Sequence, residues 1–416
     1  MVQPSLSVEG CRRPRVGSIS PLPLPGALGN YAADLGRAVE DGWAARGDHV
    51  SAFPEVSAKC LREVDVPADL DAPSILRTVA TTRHLVRQED PKGTFGRPPV
   101  TLWRSRDFFV SALFWFDGTT AIHQHGFSGA FRVLAGGSIH APYQFSVAEE
   151  ITHRLVLGTL GLSGPELLRV GDVRPIEPGE RFIHALFHLE RPSVTLVVRT
   201  FGQPTGQPQY NYLRPGVAYD PFYRDDLLER RFQSVVALAD LDPDLGAETA
   251  CELINDEDLW VGYLLARRWF AHVDRGDRLQ RLLQALTRRH GDITAPLLAS
   301  FEDERRNVSI STRRQLLTDA EHRLFLALLL NLPDRASIDK ILSQRFPGED
   351  AGALLSRWVT ELASPSRRGI SGLVMDEAQT AAVAEQLRSG RSDALGRVKL
   401  AGPPSELLQG LFRSES

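Results

Sequence analysis

Three histidines carry the strongest chemical signal in this sequence of 416 residues: His123, His125 and His184. The first two stand two positions apart in the run IHQH, residues 122–125. Side chains at positions i and i+2 of a β-strand point to the same face, so both imidazoles would enter one space. Neutral imidazoles that converge from short strands inside a small barrel can bind a divalent metal and leave coordination positions open. The sequence therefore predicts a metal site with these three ligands.

The elements that must position these histidines are short β-strands. The run VTLWRSRDFFVSALFWF, which begins at Val100, is rich in β-branched and aromatic residues. Turn signals then separate short segments, among them Asp117-Gly118, Gly136-Gly137 and Pro178-Gly179. Strands at such short, regular spacing are typical of an all-β sandwich or barrel, and residues 193–200 would form its last strand.

Helical patterns flank this β region on both sides. Before it, apolar residues recur at helical spacing from Tyr31 to Trp43, and shorter patterns cover Ser57–Arg62 and Ala72–Arg87. After Asp220, segments such as DEDLWVGYLLARRWFAHV carry apolar residues at i, i+3, i+4 and i+7. The second half of the chain therefore predicts an all-α domain of about eight helices.

These patterns predict an α+β multidomain chain, with N-terminal helices and an antiparallel β-barrel followed by an all-α C-terminal domain. We expect a flexible N-terminus at residues 1–27 and the β-barrel domain with its N-terminal helices at 28–202. A linker at 203–219 and the all-α domain at 220–416 complete the expected division.

Composition narrows the class of protein. The chain is 42% hydrophobic and 24% charged, which is typical of a soluble globular protein. Its net charge of −4 gives no electrostatic reason to expect nucleic acid or an anionic membrane as a partner. Three scattered cysteines do not form a disulfide framework and favour a reducing compartment. No signal peptide or membrane-spanning run is recognisable, so a cytoplasmic location is expected. The scarcity of lysine relative to arginine indicates a GC-rich, bacterial source.

The histidine runs resemble the two signature motifs of the cupin superfamily over about residues 100–202. The first motif places HxH after a glycine and before a second glycine that turns into the next strand. The second motif runs glycine, proline-glycine and histidine, commonly followed by asparagine. The matching positions are Gly118, His123, His125 and Gly136 or Gly137 for the first motif, and Gly171, Pro178-Gly179, His184 and His188 for the second.

One departure from the cupin pattern points to a subgroup. The glutamate of the first motif falls on Gly129 or Ala130, and neither residue can bind a metal. The chain therefore resembles the three-histidine thiol dioxygenases, which are the cysteine dioxygenase-like and cysteamine dioxygenase-like families. That resemblance implies a jelly-roll barrel in which His123, His125 and His184 hold Fe(II) for reaction of O2 with an anionic, thiol or peptide-linked substrate. The last strand lacks the histidine and tyrosine that cysteine dioxygenase carries there, which argues against cysteine itself.

Three further residues are candidates for positioning the substrate: His188, Tyr143 and Arg199. His188 is expected to hydrogen-bond near the metal site, and Tyr143 is the best polar candidate among the barrel aromatics. Arg199 ends the last strand and could bind a substrate carboxylate through two hydrogen bonds, as could Arg132 on the strand after the HxH run.

Two other classes of function remain open at this point. The chain could be a cupin isomerase, lyase or hydrolase that uses Zn, Mn or Ni as a Lewis acid without O2 chemistry. It could also be a non-enzymatic sensor whose barrel binds a small ligand and whose helices bind a partner. In each case the expected binding partner is a small molecule or a peptide, and no binding to nucleic acid or membrane is expected. The chain could also form a homodimer.

Overall fold

A computed structural model describes residues 24–89, 95–116, 118–202, 208–389 and 403–412. Nearly all of the predicted flexible N-terminus, residues 1–27, lies outside the described residues. Within its last residues Gly26 already begins the first helix.

The N-terminal helices cover the outer face of one sheet. Leu35, Phe53 and Leu61 are fully buried and pack in one core with Phe108 and Phe114 of that sheet. These helices are α1 Gly26–Ala44, α2 Phe53–Glu63 and α3 Ala72–Thr81, with a 3-10 turn at Val50–Ala52. The helical patterns read from the sequence are thus present, although α3 ends before the predicted Arg87.

The β region consists of two antiparallel sheets that face each other. Its strands are β1 Pro99–Arg104, β2 Phe108–Trp115, β3 Gly118–Thr119, β4 Ile122–His125, β5 Gly129–Ala135, β6 Ser138–Thr152, β7 Leu155–Leu162, β8 Glu166–Leu168, β9 Val173–Ile176, β10 Gly179–His188, β11 Ser193–Thr200, β12 Asn211–Leu213 and β13 Val217–Tyr219. The first sheet has the order β1-β2-β11-β5-β9, and the second has the order β3-β10-β4-β12-β13-β7-β6-β8 with an added β10–β6 pairing. The predicted antiparallel β-barrel is confirmed.

Part of the predicted linker, residues 203–219, belongs to the barrel sheet instead. Strand β12 pairs with β4, and β13 pairs with β7. Tyr212 on β12 is buried, and its hydroxyl donates a hydrogen bond of 2.6 Å to Oε1 of Gln124. Each of these strands has only three residues, too few for a two-residue alternation to be recognised in the sequence. Residues 203–207 lie outside the described part of the chain.

The C-terminal region is helical, as predicted. Its helices are α4 Asp226–Leu241, α5 Pro243–Asp256, α6 Leu259–His272, α7 Asp277–His290, α8 Ala295–Leu316, α9 Ala320–Asn331, α10 Arg335–Arg345, α11 Ala351–Ala363, α12 Arg368–Ser371, α13 Glu377–Ser389 and α14 Pro403–Leu408. Aspartates begin several of them by accepting a backbone N–H, as Asp258 and Asp350 do at α6 and α11. Among the described residues, every helix is too short or too polar to span a bilayer.

The helical region packs directly on the outer face of the larger sheet. Ile139 and Phe187 share a core with α9 and α11, whereas Leu155 and Val217 share another with α4 to α8. Side chains on alternate positions of β6 and β10 therefore face the helices, which leaves the remaining positions for the barrel interior.

Candidate metal centre

Every second side chain of strand β10 points into the interior of the barrel. His184 and Leu186 line the interior cavity, whereas Phe187 packs against the helices. Because the side-chain period of a strand is two residues, His188 lies on the same inward face as His184.

The three predicted ligands meet inside the barrel. Strand pairing places His184 directly opposite His123, and His125 follows two residues later on the same strand. All three side chains are buried, with exposures of 4%, 4% and 2% for His123, His125 and His184. One ring nitrogen from each lies within 4.8 Å of the others. The predicted convergence of these histidines is therefore present in the fold.

The hydrogen bonds of these rings leave nitrogen atoms available to a metal. Nδ1 of His123 lies 2.8 Å from the carbonyl oxygen of Ala121, so this nitrogen carries the proton and donates it. Its Nε2 is buried without a hydrogen-bond partner, and so is Nδ1 of His125. Buried polar atoms without a partner are costly unless something binds them. A divalent metal therefore fits this donor set.

Burial keeps the three rings neutral. Loss of solvent lowers the pKa of His123 and holds the pKa values of His125 and His184 well below the ordinary histidine value. Repulsion from His123 adds to this effect on the pKa values of His125 and His184, and the Arg199 guanidinium further lowers the pKa of His125. Neutral imidazole is the form that binds a metal, so these histidines can bind one without first losing a ring proton.

Two of the ligands open into a cavity of about 70 Å³ with largely apolar walls. His125 and His184 form part of its lining, together with aromatic side chains such as Phe127 and Phe131. Arg199 also lines this cavity, on the face of β11 that carries Thr195 and Val197. Its guanidinium lies over the rings of Phe109 and Phe127, at 4.7 and 4.8 Å from their centroids.

His188 is fully buried in the same barrel and does not line the cavity. Its ring stacks on Trp115, with centroids 4.5 Å apart and planes 10° apart, and its Nδ1 lies 2.9 Å from Oγ of Ser138. Burial lowers the pKa of His188 to about 3. Trp115 does line the cavity, so His188 can influence the cavity only by holding the indole ring of Trp115 in place.

Two sequence candidates lie away from the site. Tyr143 is buried among Ala141, Ile183 and other residues on the outward face of its sheet, and does not line the cavity. It stands three residues after His140, and an odd interval on a strand reverses the face. Its predicted substrate-positioning role is therefore corrected. Arg132 donates a hydrogen bond of 2.7 Å to the carbonyl oxygen of Leu61 and holds the end of α2.

Three polar side chains that are linked to His184 by hydrogen bonds were not predicted from the sequence. His140 is not among the candidates that the sequence indicated, yet its Nε2 lies 3.1 Å from Nδ1 of His184. Its Nδ1 lies 2.8 Å from Oε1 of Glu166, which Arg174 also contacts. Hydrogen bonds from His140 and Arg174 lower the pKa of Glu166 to about 2. The pairing of β6 with β8 brings this group together, and no local spacing in the sequence indicates it.

Comparison with known proteins adds structural neighbours of low similarity. Neither a protein-family model nor a curated protein sequence matches the chain. A cupin-2 domain containing protein from Shewanella frigidimarina NCIMB 400 matches 32% of this chain and 95% of its own, with 10% identity and a TM-score of 0.20. Hydroquinone 1,2-dioxygenase from Sphingomonas sp. TTNP3 matches 33% and 81%, with 12% identity and a TM-score of 0.22.

A third neighbour covers more of this chain. DMSP lyase DddQ from Ruegeria pomeroyi DSS-3 matches 43% of this chain and 93% of its own, with 17% identity and a TM-score of 0.24. Similarity at this level assigns no activity to the chain. Its chemistry has to be argued from the residues of the barrel.

Proposed function

We propose that this chain is a mononuclear non-haem iron oxygenase of the cupin type, with dioxygenase-like chemistry, in which His123, His125 and His184 hold Fe(II). The observation that carries the proposal is the convergence of three buried, neutral imidazoles. Among the described residues, that ligand group contains no carboxylate. A facial triad of two histidines and one carboxylate would need Asp or Glu at one of these positions, and His125 argues against it.

Three neutral ligands would leave Fe(II) with open coordination positions and uncompensated charge, which is the chemistry needed to bring O2 and an anionic substrate together. The protein's own contribution is the surrounding space. Apolar walls such as Phe127 and Phe131 exclude water from the reacting groups. Arg199 adds positive charge to the same cavity, which favours an anionic group on the substrate.

The cavity also bears on the size of the substrate. Its volume of about 70 Å³ lies below the roughly 300–1,000 Å³ of pockets for drug-sized ligands, so the reacting part of the substrate has to be small. A small molecule with one anionic group, a thiol or a carboxylate, and an apolar remainder would suit these walls. The end of a peptide that carries such a group would suit them equally.

Metal content and oxygen consumption test the proposal. Protein purified without oxygen and supplied with Fe(II) should hold about one iron per chain, because the described part of the chain contains one such ligand group. The double variant His123→Ala, His184→Ala should hold almost none, whereas a control variant at the exposed His153 should bind iron normally. Unimpaired iron binding in the double variant would overturn the proposal.

The ligand set itself favours one second candidate. Three histidines also hold catalytic zinc, where the metal acts as a Lewis acid on a bound water or substrate. A cupin lyase, isomerase or hydrolase of that kind would turn over without O2. Oxygen-electrode measurements on the iron-loaded and zinc-loaded protein, with thiols and apolar carboxylates as trial substrates, distinguish the two functions.

A further inference from the structure

A polar chain runs from the surface of the barrel to the metal ligand His184. It involves three strands: Arg174 lies on β9 at the edge of the first sheet, whereas Glu166 on β8 and His140 on β6 belong to the second sheet. Strand pairing sets His140 directly opposite Glu166. The His140 side chain is 3% exposed and the Glu166 side chain 29%, so the chain leads inward from a partly solvated carboxylate to a buried ring.

The distances along this chain are those of hydrogen bonds. Nε of Arg174 donates to Oε1 of Glu166 over 2.8 Å, and its Nη2 contacts Oε2, so the ion pair has two contacts. Oε1 of Glu166 lies 2.8 Å from Nδ1 of His140, and Nε2 of His140 lies 3.1 Å from Nδ1 of His184. Each partner is thereby fixed by the one before it.

With Glu166 ionised and His140 neutral as the two premises, the contacts fix the direction of each shared proton. An ionised carboxylate can only accept, so Nδ1 of His140 must carry the proton that it shares with Glu166. A neutral His140 then has a lone pair on Nε2, which can only accept from Nδ1–H of His184. His184 is therefore held as the tautomer whose Nε2 keeps its lone pair, as a metal ligand requires.

We infer that Arg174, Glu166 and His140 form a positioning relay that fixes the tautomer and ring orientation of His184 and increases its strength as a metal ligand. The inference rests on the proposed metal site. A hydrogen bond from a ligating histidine toward a carboxylate raises the basicity of the ring, and its loss typically lowers metal affinity about 10- to 100-fold. Here the carboxylate acts through an intervening second histidine.

The rival explanation is purely structural. The contact between His140 and Glu166 could serve only to hold β6 to β8. A substitution that changes the charge or the acceptor without changing shape separates the two explanations. Glu166→Gln keeps the volume but removes the charge, and His140→Leu removes the acceptor for His184. His140→Gln restores an acceptor near the position of Nε2.

The experiment measures Fe(II) affinity by anaerobic titration and the visible absorption of the Co(II)-loaded protein, with thermal melting of each apo-protein as a check on folding. We expect Glu166→Gln and His140→Leu to weaken Fe(II) binding about 10- to 100-fold and to alter the Co(II) spectrum. His140→Gln should recover much of the affinity. The matched control is Glu361→Gln, which alters a similar pair in the helices, where Oε2 of Glu361 lies 2.7 Å from Nε2 of His322.

The outcomes are distinguishable from failure of the proposed function. If wild-type protein binds no iron, or if the His123, His184 double variant binds it equally well, the metal site itself is wrong. If wild-type protein binds iron but Glu166→Gln and His140→Leu bind it within twofold with unchanged Co(II) spectra, the relay is wrong. An equal loss in Glu361→Gln, or no recovery in His140→Gln at unchanged melting temperature, would also count against it.

Discussion

His184 lies directly opposite His123 in the antiparallel pairing of β10 with β4. Residues paired across a sheet have side chains on the same face, so this register alone brings the two imidazoles together. The pairing of these strands is irregular between Gly179 and His184, where β10 carries more residues than β4. The metal site thus depends on a strand register that a deletion or insertion before His184 would shift.

Single substitutions of the ligands should separate metal binding from folding. We expect His123→Ala and His125→Ala each to lower Fe(II) affinity at least 100-fold, because a bidentate site is left. Bound metal should also raise the melting temperature of the wild-type protein, since a ligand at about 100 times its Kd adds about 2.7 kcal/mol. Calorimetry with and without Fe(II) checks both effects. A metal-dependent rise in the variants equal to that of wild type would contradict the assignment.

How far the sequence could predict this site differs from residue to residue. The shared face of His123 and His125 follows from the two-residue period of a strand, and so does the inward face of Arg199. His184 stands about 60 residues away and was assigned through its motif, because strand pairing is not encoded by local spacing. Glu166 was missed for the same reason, since it meets His140 only through the pairing of β6 with β8.

Arg199 should select ligands that carry a negative charge. Its guanidinium lines the cavity between Phe109 and Phe127. We expect benzoate to bind more tightly than neutral benzamide by isothermal titration calorimetry. Arg199→Leu should reduce benzoate affinity about 10- to 100-fold, the loss of one charged hydrogen-bond partner, and leave benzamide nearly unchanged.

Arg181→Leu is the control for this measurement, because Arg181 is 62% exposed and pairs with Glu177 outside the cavity. It should leave the affinity for both compounds unaltered. Equal weakening of benzoate and benzamide in Arg199→Leu would show that the arginine serves packing rather than charge recognition.

His188 should make the apo-protein sensitive to acid. Its pKa is about 3 in the folded state and 6.5 ordinarily, so between these values the unfolded chain binds more protons than the folded one. Stability is therefore fully present above pH 6.5 and falls as the pH drops, by up to about 1.4 kcal/mol per pH unit from this residue. In His188→Asn the slope of unfolding free energy against pH, averaged over urea denaturation from pH 7 to 5, should decrease by about 1 kcal/mol per pH unit, because the unfolded histidine is only partly protonated near pH 7.

A variant of the exposed His153 provides the comparison for this slope. His153→Asn makes the same substitution in a solvent-exposed turn, so an equal decrease of the slope in this variant would show that burial is not the cause. Identical slopes in His188→Asn and wild-type protein would mean that burial of His188 is not what destabilises the protein in acid.

The boundary between barrel and helices was the least predictable part of the fold. Strands β12 and β13 lie next to proline and glycine, which in a sequence indicate a loop. Long-range pairing with β4 and β7 overrides these local signals. Arg214, between the two strands, consequently joins barrel and helices, although the sequence indicated only a linker there.

Loss of this junction should destabilise the whole chain. Nε of Arg214 lies 3.2 Å from Oδ2 of Asp303 on α8, and its Nη2 donates to the carbonyl oxygen of Leu330 over 3.0 Å. Asp303→Asn keeps the shape but leaves a largely buried guanidinium without its counter-charge. We expect a cost of about 2–3 kcal/mol in urea unfolding, somewhat below that of a fully buried pair because both side chains keep some solvent contact. The exposed pair of Arg305 with Glu302 is the control, and Glu302→Gln should cost less than about 1 kcal/mol. Equal costs for the two variants would refute a special role for Arg214 at this junction.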